Sequence, residues 1–323
     1  MLTKLSSLSK ENHIACKTLQ DDTTRSSRWK YTPSGEKAGF IQPHGLKELW
    51  FHTGTKCNLS CDFCLEGSSP QDKRLASPKF EEVKPYIDEA LELGVEHFSF
   101  TGGEPLLVKD IIDILSYAAQ HRPCLVLTNG TDPLIKRLEK LKILRNAKHP
   151  VSFRISLDSA DEKTHDMGRG QGEFKKALIG LRRLHNLGFK VSVARHIAKD
   201  ENIDQVNAAF EALFSLNGLP SSLNIVAFPD FLTPGALPEV PHITENCMTS
   251  YQTQEQRKHY MCASSKMIVK KDNRMQIYAC TLVDDDEEYS FGSDLRASLQ
   301  QRVSMKHHRC YSCFAHGASC SEM

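Results

Sequence analysis

The stretch CNLSCDFC, residues 57–64, places three cysteines in a C-x3-C-x2-C pattern directly after an apolar segment at 49–51. A four-iron cluster held by three cysteines keeps one iron open to an outside ligand, whereas structural zinc sites and electron-transfer clusters usually recruit a fourth protein ligand. The pattern therefore indicates a metal centre that binds a further molecule, with Cys57, Cys61 and Cys64 as its ligands. A zinc knuckle is the alternative interpretation of three cysteines taken alone.

The spacing of these cysteines, with the aromatic residue Phe63 just before the last one, resembles the radical S-adenosylmethionine (radical SAM) superfamily. The resemblance implies a [4Fe-4S] cluster bound by three cysteines, whose open iron holds the amino and carboxylate groups of S-adenosylmethionine (SAM). Reductive cleavage of SAM would then give a 5'-deoxyadenosyl radical that abstracts hydrogen from a substrate. A low-potential electron donor such as flavodoxin or ferredoxin is the implied partner.

A second motif ends the apolar segment 95–100, where the chain reads Thr101-Gly102-Gly103-Glu104-Pro105. Glycines let a backbone approach a ligand closely, and a carboxylate beside them can hold an ammonium group. Taken alone, the motif fits an ordinary strand-to-helix turn. Its order and distance after the cysteines make Gly102, Gly103 and Glu104 similar to the GGE motif with which the superfamily contacts SAM.

Polar residues further along the chain extend the resemblance. Ser156 and Asp158 end the predicted strand 151–158 and resemble the superfamily's ribose-contact motif. Arg169 lies in a stretch similar to the one where an arginine meets the SAM carboxylate, and its planar guanidinium suits that role. A solvated loop charge is its alternative. Asn129 stands at another strand end, where it either contacts SAM or caps an Asn-Gly turn.

Hydrophobic periodicity predicts an α/β fold in which strands and helices alternate from about residue 47. The first helix is predicted to follow Ser77 as N-cap with Pro78 in its first turn, and to end at Gly94. Six alternating strands imply parallel pairing through crossovers, and a partial (β/α)6 barrel is the fold that the resemblance implies. The motifs all fall just after strands, where α/β barrels place their chemistry.

Residues 260–323 differ from the barrel in composition. The segment 266–278 predicts a β-hairpin that turns near Asp272-Asn273. Four cysteines surround it in sequence and offer four thiolates, which hold zinc or an iron-sulfur cluster equally well by ligand count. Those cysteines are Cys262, Cys280, Cys310 and Cys313.

Their arrangement resembles the twitch domain, the shortened relative of the SPASM domain, and so implies a second, auxiliary [4Fe-4S] cluster. Cys320 offers a fifth thiol that either replaces Cys262 or is spare. Cys16, Cys124 and Cys247 are predicted to be free.

The chain divides into four predicted segments: an N-terminal extension at 1–46, the radical SAM core at 47–228, a linker at 229–259 and the cysteine-rich domain at 260–323. Its 41 basic and 40 acidic residues balance, so neither nucleic acid nor an anionic membrane is an expected partner. No apolar run is long enough to span a bilayer, and the N-terminus is too polar for a secretory signal. We therefore expect a cytoplasmic protein.

A fully cysteine-ligated auxiliary cluster cannot bind a substrate without losing a thiolate, so its expected role is to accept an electron. This predicts an oxidoreductase that carries out a two-electron oxidation of a small molecule. A peptide maturase is the alternative, although the N-terminal extension is short for a peptide-binding module. Two non-catalytic hypotheses, a zinc-stabilised binding protein and an iron-sulfur redox sensor, have no need of a complete SAM site.

Overall fold

The computed structural model describes residues 26–198 and 200–317, so Cys16, Cys320 and residues 1–25 of the predicted extension lie outside it. The strands are β1 (Phe40–Ile41), β2 (Glu48–His52), β3 (His97–Thr101), β4 (Cys124–Thr128), β5 (Val151–Ser156), β6 (Lys190–His196), β7 (Ile225–Phe228), β8 (Ser265–Lys271), β9 (Arg274–Tyr278) and β10 (Val303–Ser304). The α-helices are α1 (Ser27–Lys30), α2 (Phe80–Glu92), α3 (Ile111–His121), α4 (Asp132–Leu141), α5 (Glu162–Arg169), α6 (Glu173–Asn186), α7 (Ile203–Leu216), α8 (Glu245–Ser250), α9 (Gln254–Lys258), α10 (Met261–Ser264), α11 (Leu295–Ser298) and α12 (His308–His316). Short 3-10 helices lie at Pro105–Leu107, Lys142–Asn146 and Glu287–Tyr289.

Eight strands form one sheet in the order β7-β6-β5-β4-β3-β2-β8-β9. Strands β2 to β7 pair in parallel with their neighbours in sequence, and at least one α-helix separates each consecutive pair along the chain. Parallel neighbours need such crossover connections, because a tight turn reverses the chain direction and so joins only antiparallel strands. The predicted α/β fold with six parallel strands is thereby confirmed, and the carboxyl ends of the strands meet at one edge of the sheet.

The predicted hairpin is also confirmed. Asp272 and Asn273 have φ angles of 48° and 59°, the left-handed pair that a two-residue type I′ turn requires. The hairpin does not stand apart from the barrel sheet, because β8 pairs in parallel with β2, from Glu48 opposite Ser265 to Phe51 opposite Ile268. The cysteine-rich region therefore shares a sheet with β2, the strand that precedes the first cysteine motif.

The start of α2 differs from the prediction. The helix begins at Phe80, and Lys79, not Ser77, is its N-cap. Glu82 fixes the boundary: the backbone N–H of Lys79 donates to Glu82 Oε2 at 2.8 Å. This bond satisfies a donor that the first turn otherwise leaves open. The expectation that Pro78 lies in the first helical turn was wrong for that reason.

Alternating side chains of the sheet enter two hydrophobic cores. Leu49 and Phe51 pack with the helices that cover the parallel strands, whereas Trp50 between them belongs to a second core on the other face. Trp29 also lies in this second core, edge-on to Tyr289 with ring centroids 5.1 Å apart. Part of the predicted N-terminal extension is thus packed against the cysteine-rich region, and the four-segment division itself stays a prediction.

No helix within the described ranges is both long and apolar enough to cross a bilayer.

Candidate active site

A cavity of about 180 Å³ lies at the carboxyl ends of the parallel strands. It gathers most of the residues that the sequence predicted for cofactor binding, namely Cys57, Cys61, Phe63, Cys64, Gly102, Gly103, Asn129, Ser156, Asp158 and Arg169. These residues come from the loop after β2 and from the ends of β3, β4, β5 and α5. The strand-end rule for α/β barrels therefore predicted their convergence, while their roles as ligands stay a prediction.

The three cysteines lie in a loop whose backbone donors point at sulfur. Leu59 N–H donates to Cys57 Sγ at 3.4 Å, and Ser68 N–H donates to Cys64 Sγ at 3.4 Å. Burial raises the pKa of the Cys57 thiol to about 12. Neutral thiols in such a loop become thiolates when a metal binds, and the donors to sulfur stabilise that charge. The donor set fits an iron-sulfur cluster.

Arg169, at the last position of α5, forms a buried ion pair with Asp158, to which its Nε and Nη2 both donate. Its guanidinium also lies over the ring of Phe63, with Cζ 5.4 Å from the centroid. Burial raises the pKa of Asp158, but the charge and hydrogen bonds of Arg169, together with the charges of His196 and His165, lower it below the usual value. With 13% of its side chain exposed, Arg169 is not a solvated loop charge.

The same guanidinium acts on the cysteine loop. Burial raises the pKa of Cys61, and Arg169 opposes that shift. A cation beside the thiols and beside the open cavity can attract both a thiolate and a carboxylate ligand.

The glycine pair has a role that the sequence did not reveal. A Cβ on Gly103 would lie 2.4 Å from the carbonyl oxygen of Lys56, and one on Gly102 would lie 2.8 Å from that of Gly54. Gly103 N–H donates to Gly54 O at 2.8 Å. The two glycines therefore let the end of β3 pack directly on the segment that leads into Cys57.

Glu104 does not line the cavity in the way we expected. Its side chain is 1% exposed, and its carboxylate accepts hydrogen bonds from Leu106 N–H, Asn129 N–H and the Thr128 hydroxyl. Burial raises its pKa. In this structure the carboxylate joins the ends of β3 and β4, and its contact with SAM stays a prediction.

Asn129 caps the Asn-Gly turn, one of its two expected roles, and its contact with SAM stays a prediction. Its Oδ1 accepts from Thr131 N–H at 3.0 Å, which is the Asn-Gly turn bond, and its Nδ2 donates to Asn58 Oδ1 at 2.9 Å. Nδ2 also reaches Cys57 Sγ at 3.7 Å. Asn129 thus anchors the cysteine loop to the end of β4.

His196 and Phe231 line the cavity, although sequence reasoning did not select them. His196 ends β6, its N–H donates to Asp158 Oδ1 at 3.3 Å, and its ring lies 4.4 Å from that of Phe63. Burial lowers its pKa. The strand-end rule could have found His196, whereas Phe231 lies in the 229–259 segment, which carries no recognisable pattern.

A buried trio next to the cavity, His52, Glu66 and Asp284, has ligand atoms within 4.8 Å of one another. Gly54 N–H donates to His52 Nδ1 at 3.1 Å, so the ring proton sits on Nε2, which lies 3.0 Å from Glu66 Oε2. A protonated Nε2 has no lone pair for a metal ion. His52 is therefore hydrogen-bonded to Glu66, and its Nε2 lies 3.8 Å from Asp284 Oδ2, so the trio brings β2 next to both cysteine-rich loops.

The four C-terminal cysteines line a second, smaller cavity. Its other walls are Tyr260, Met261, Leu282, Val283, Tyr289, Val303, Met305 and Arg309. Burial raises the pKa of Cys262 to about 11 and that of Cys310 to about 12, and it raises the pKa of Cys280 well above its usual value. Buried neutral thiols around one cavity fit a cysteine-ligated metal centre, whose assembly would release their protons.

Comparison with known proteins agrees with this site. The mycofactocin maturase MftC of Mycolicibacterium smegmatis is 32% identical over 163 residues, which are 50% of this chain and 40% of that protein. The antilisterial bacteriocin subtilosin biosynthesis protein AlbA of Bacillus subtilis is 30% identical over 204 residues, 62% of this chain and 43% of that protein. The matched regions thus span less than half the length of either relative.

A crystal structure of Streptococcus suis SuiB bound to S-adenosylmethionine has the same fold, with a TM-score of 0.59 over 86% of this chain and 69% of that chain, at 14% identity. The family model described as the Radical SAM superfamily matches residues 51–213, a range that holds the first cysteine motif and every predicted SAM contact. A [4Fe-4S] cluster and SAM are the cofactors of that family. Because the match covers half of the chain and the motif residues meet in one cavity, this chain belongs to the radical SAM superfamily.

Proposed function

We propose that this protein is a radical SAM enzyme whose [4Fe-4S] cluster is held by Cys57, Cys61 and Cys64. The observation that carries the proposal is the convergence of these three thiols with Phe63 and the Arg169–Asp158 pair on one cavity. When bound, the cluster supplies the electron that cleaves SAM to methionine and a 5'-deoxyadenosyl radical. The substrate hydrogen is abstracted in that cavity.

Different residues around the cavity bind different parts of SAM. Arg169 receives the carboxylate, because its guanidinium is fixed by Asp158 and Phe63 before any ligand binds. Ser156 and Asp158 contact the ribose at the end of β5. Phe63 and Phe231 cover the cavity with apolar surface and exclude water from a reactive radical.

We further propose that Cys262, Cys280, Cys310 and Cys313 bind an auxiliary [4Fe-4S] cluster. The support is the set of four cysteines around one buried cavity and the raised pKa values of three of them. Four thiolates leave no iron open to a substrate. The auxiliary cluster then serves as the electron acceptor of a two-electron oxidation, and a small molecule is the proposed substrate.

Peptide maturation is the second candidate, and it uses the same site. The names of the two relatives, a mycofactocin maturase and a bacteriocin biosynthesis protein, favour it. The matches cover 40% and 43% of those two proteins, so they support shared radical SAM chemistry more than a shared substrate.

The test is the iron, sulfide and zinc content of anaerobically reconstituted protein, together with 5'-deoxyadenosine formed from SAM with dithionite. About eight irons per chain are expected, falling to about four without SAM cleavage when Cys57, Cys61 and Cys64 become Ala. Changing Cys310 and Cys313 to Ala should also leave about four irons but retain SAM cleavage. Cys247→Ala is the matched control, because Cys247 lines neither cavity. Zinc without iron after reconstitution would overturn the proposal.

A further inference from the structure

Lys266 is a buried cation beside the auxiliary cysteines. It is the second residue of β8, its side chain is fully buried, and its Nζ donates to the carbonyl oxygens of Cys262 at 3.3 Å and Ser265 at 3.2 Å. The ring of Phe291 lies 5.9 Å from Nζ. A charged ammonium in such apolar surroundings is costly unless an anion compensates it.

A second buried lysine on the same strand shows what ordinary compensation looks like. Lys270 donates to the carboxylate of Glu82, a conventional ion pair between β8 and α2. The hydrogen bonds of Lys266 go to neutral carbonyl groups instead. Through the bond to the Cys262 backbone, its ammonium lies beside an auxiliary ligand. The thiolates of Cys262 and Cys280 are the anions that act on its charge.

We propose that the Lys266 ammonium sets the reduction potential of the auxiliary cluster, making that cluster a better electron acceptor. This inference rests on the proposed function, because it requires the auxiliary cluster. A cluster with four thiolate ligands is anionic and gains one further negative charge on reduction. A fixed cation in a region of low dielectric constant stabilises the reduced form more than the oxidised form. Lys266 is therefore not a ligand of the cluster. Its positive charge would act on the cluster through space and raise the reduction potential.

The experiment isolates the auxiliary cluster in the protein with Cys57, Cys61 and Cys64 changed to Ala. Its reduction is followed by electron paramagnetic resonance during an anaerobic titration with dithionite and mediators. Lys266→Met should lower the ratio of reduced to oxidised cluster at the parental midpoint at least tenfold, a shift of about 59 mV for one electron. Lys266→Arg, which keeps the charge, and Lys270→Met, which removes a buried lysine from the same strand, should stay within twofold.

The outcomes separate this inference from the proposed function. If the parent protein with three alanines binds no iron, the proposed auxiliary cluster is wrong. If it binds about four irons and Lys266→Met has the same potential as Lys270→Met, the inference about Lys266 alone is overturned. Lys266→Gln is the second neutral variant. Loss of iron from both neutral variants would also overturn the inference, because Lys266 would then support the fold instead of the potential.

Discussion

Arg309 Nη2 donates a hydrogen bond to the carbonyl oxygen of Leu65, 3.3 Å away. Because Leu65 follows Cys64 and Arg309 precedes Cys310, this bond links the two cysteine centres directly. The fully buried guanidinium also donates to the carbonyl oxygens of Phe231, Leu232 and Leu282. One side chain thus fixes the active-site loop, the 229–259 segment and the cysteine-rich region to one another.

Replacing Arg309 by Lys should reduce the free energy of unfolding by about 2 kcal/mol or more. An ammonium keeps the charge but cannot reproduce the fork, so buried carbonyl groups lose their donors. Urea denaturation of the apo protein measures the loss. Arg296→Lys is the control, since Arg296 is exposed and its contact with Glu92 is 3.6 Å. Equal stability of the two variants would contradict the assigned role of Arg309.

Arg169→Met should weaken SAM binding to the reconstituted protein at least tenfold, which is about 1.4 kcal/mol. The reason is the loss of a preorganised cation in the cavity. Equilibrium dialysis with labelled SAM measures the change. Lys175→Met removes an exposed ion pair with Glu162 on the neighbouring helices and should bind SAM normally. If SAM binds the Arg169 variant as tightly as the parent, another group holds its carboxylate.

Gly103→Ala should destroy the first cluster site while leaving the second. The new methyl group would lie 2.4 Å from Lys56 O, so the segment entering Cys57 has to move. Iron content should fall from about eight to about four per chain. Gly45→Ala is the matched control, because a Cβ there meets nothing within 4 Å. Full iron occupancy in the Gly103 variant would show that the contact is not required.

Asp285 should make the apo protein sensitive to acid. Burial raises the pKa of Asp285, but the hydrogen bond from His307 and the charge of Arg309 lower it to about 2. A folded-state pKa below the unfolded value of about 3.9 stabilises the protein by about 2 kcal/mol above pH 5, and this is lost as the pH falls from about 4 to about 2.

The difference in unfolding free energy between the parent and Asp285→Asn, measured in urea from pH 7 downwards, should therefore shrink on acidification. A constant difference at all pH values would indicate that the carboxylate charge contributes nothing.

Local sequence patterns predicted the elements that depend on local physics. A strand was predicted at 151–158, and β5 lies at Val151–Ser156, because alternating apolar and polar residues specify a strand. The hairpin turn was predicted because only a few residue pairs accept two left-handed φ angles. The cluster of motif residues at one edge followed from the parallel topology.

The remaining features depend on contacts between distant residues, which periodicity does not encode. Strands β8 and β2 pair with each other, although the sequence pattern of neither strand indicates which strand is its partner. Glu104 was expected in the cavity, but its carboxylate accepts hydrogen bonds from Thr128 and Asn129 at the end of β4. No local sequence motif predicts these contacts. Lys266 and Arg309 are charged residues, which usually lie at the surface, yet both are fully buried.

The parallel pairing of β2 with β8 also determines the order in which the chain can fold. Phe51 and Ile268 are paired residues of neighbouring strands, although more than 200 residues separate them in the chain. During synthesis, β2 can therefore pair with β8 only after most of the chain has left the ribosome. Until then the outer edge of β2 presents unpaired N–H and C=O groups, which can recruit strands of other chains. We expect a fragment that ends before residue 265 to aggregate, because it lacks β8, the strand that covers the exposed edge of β2.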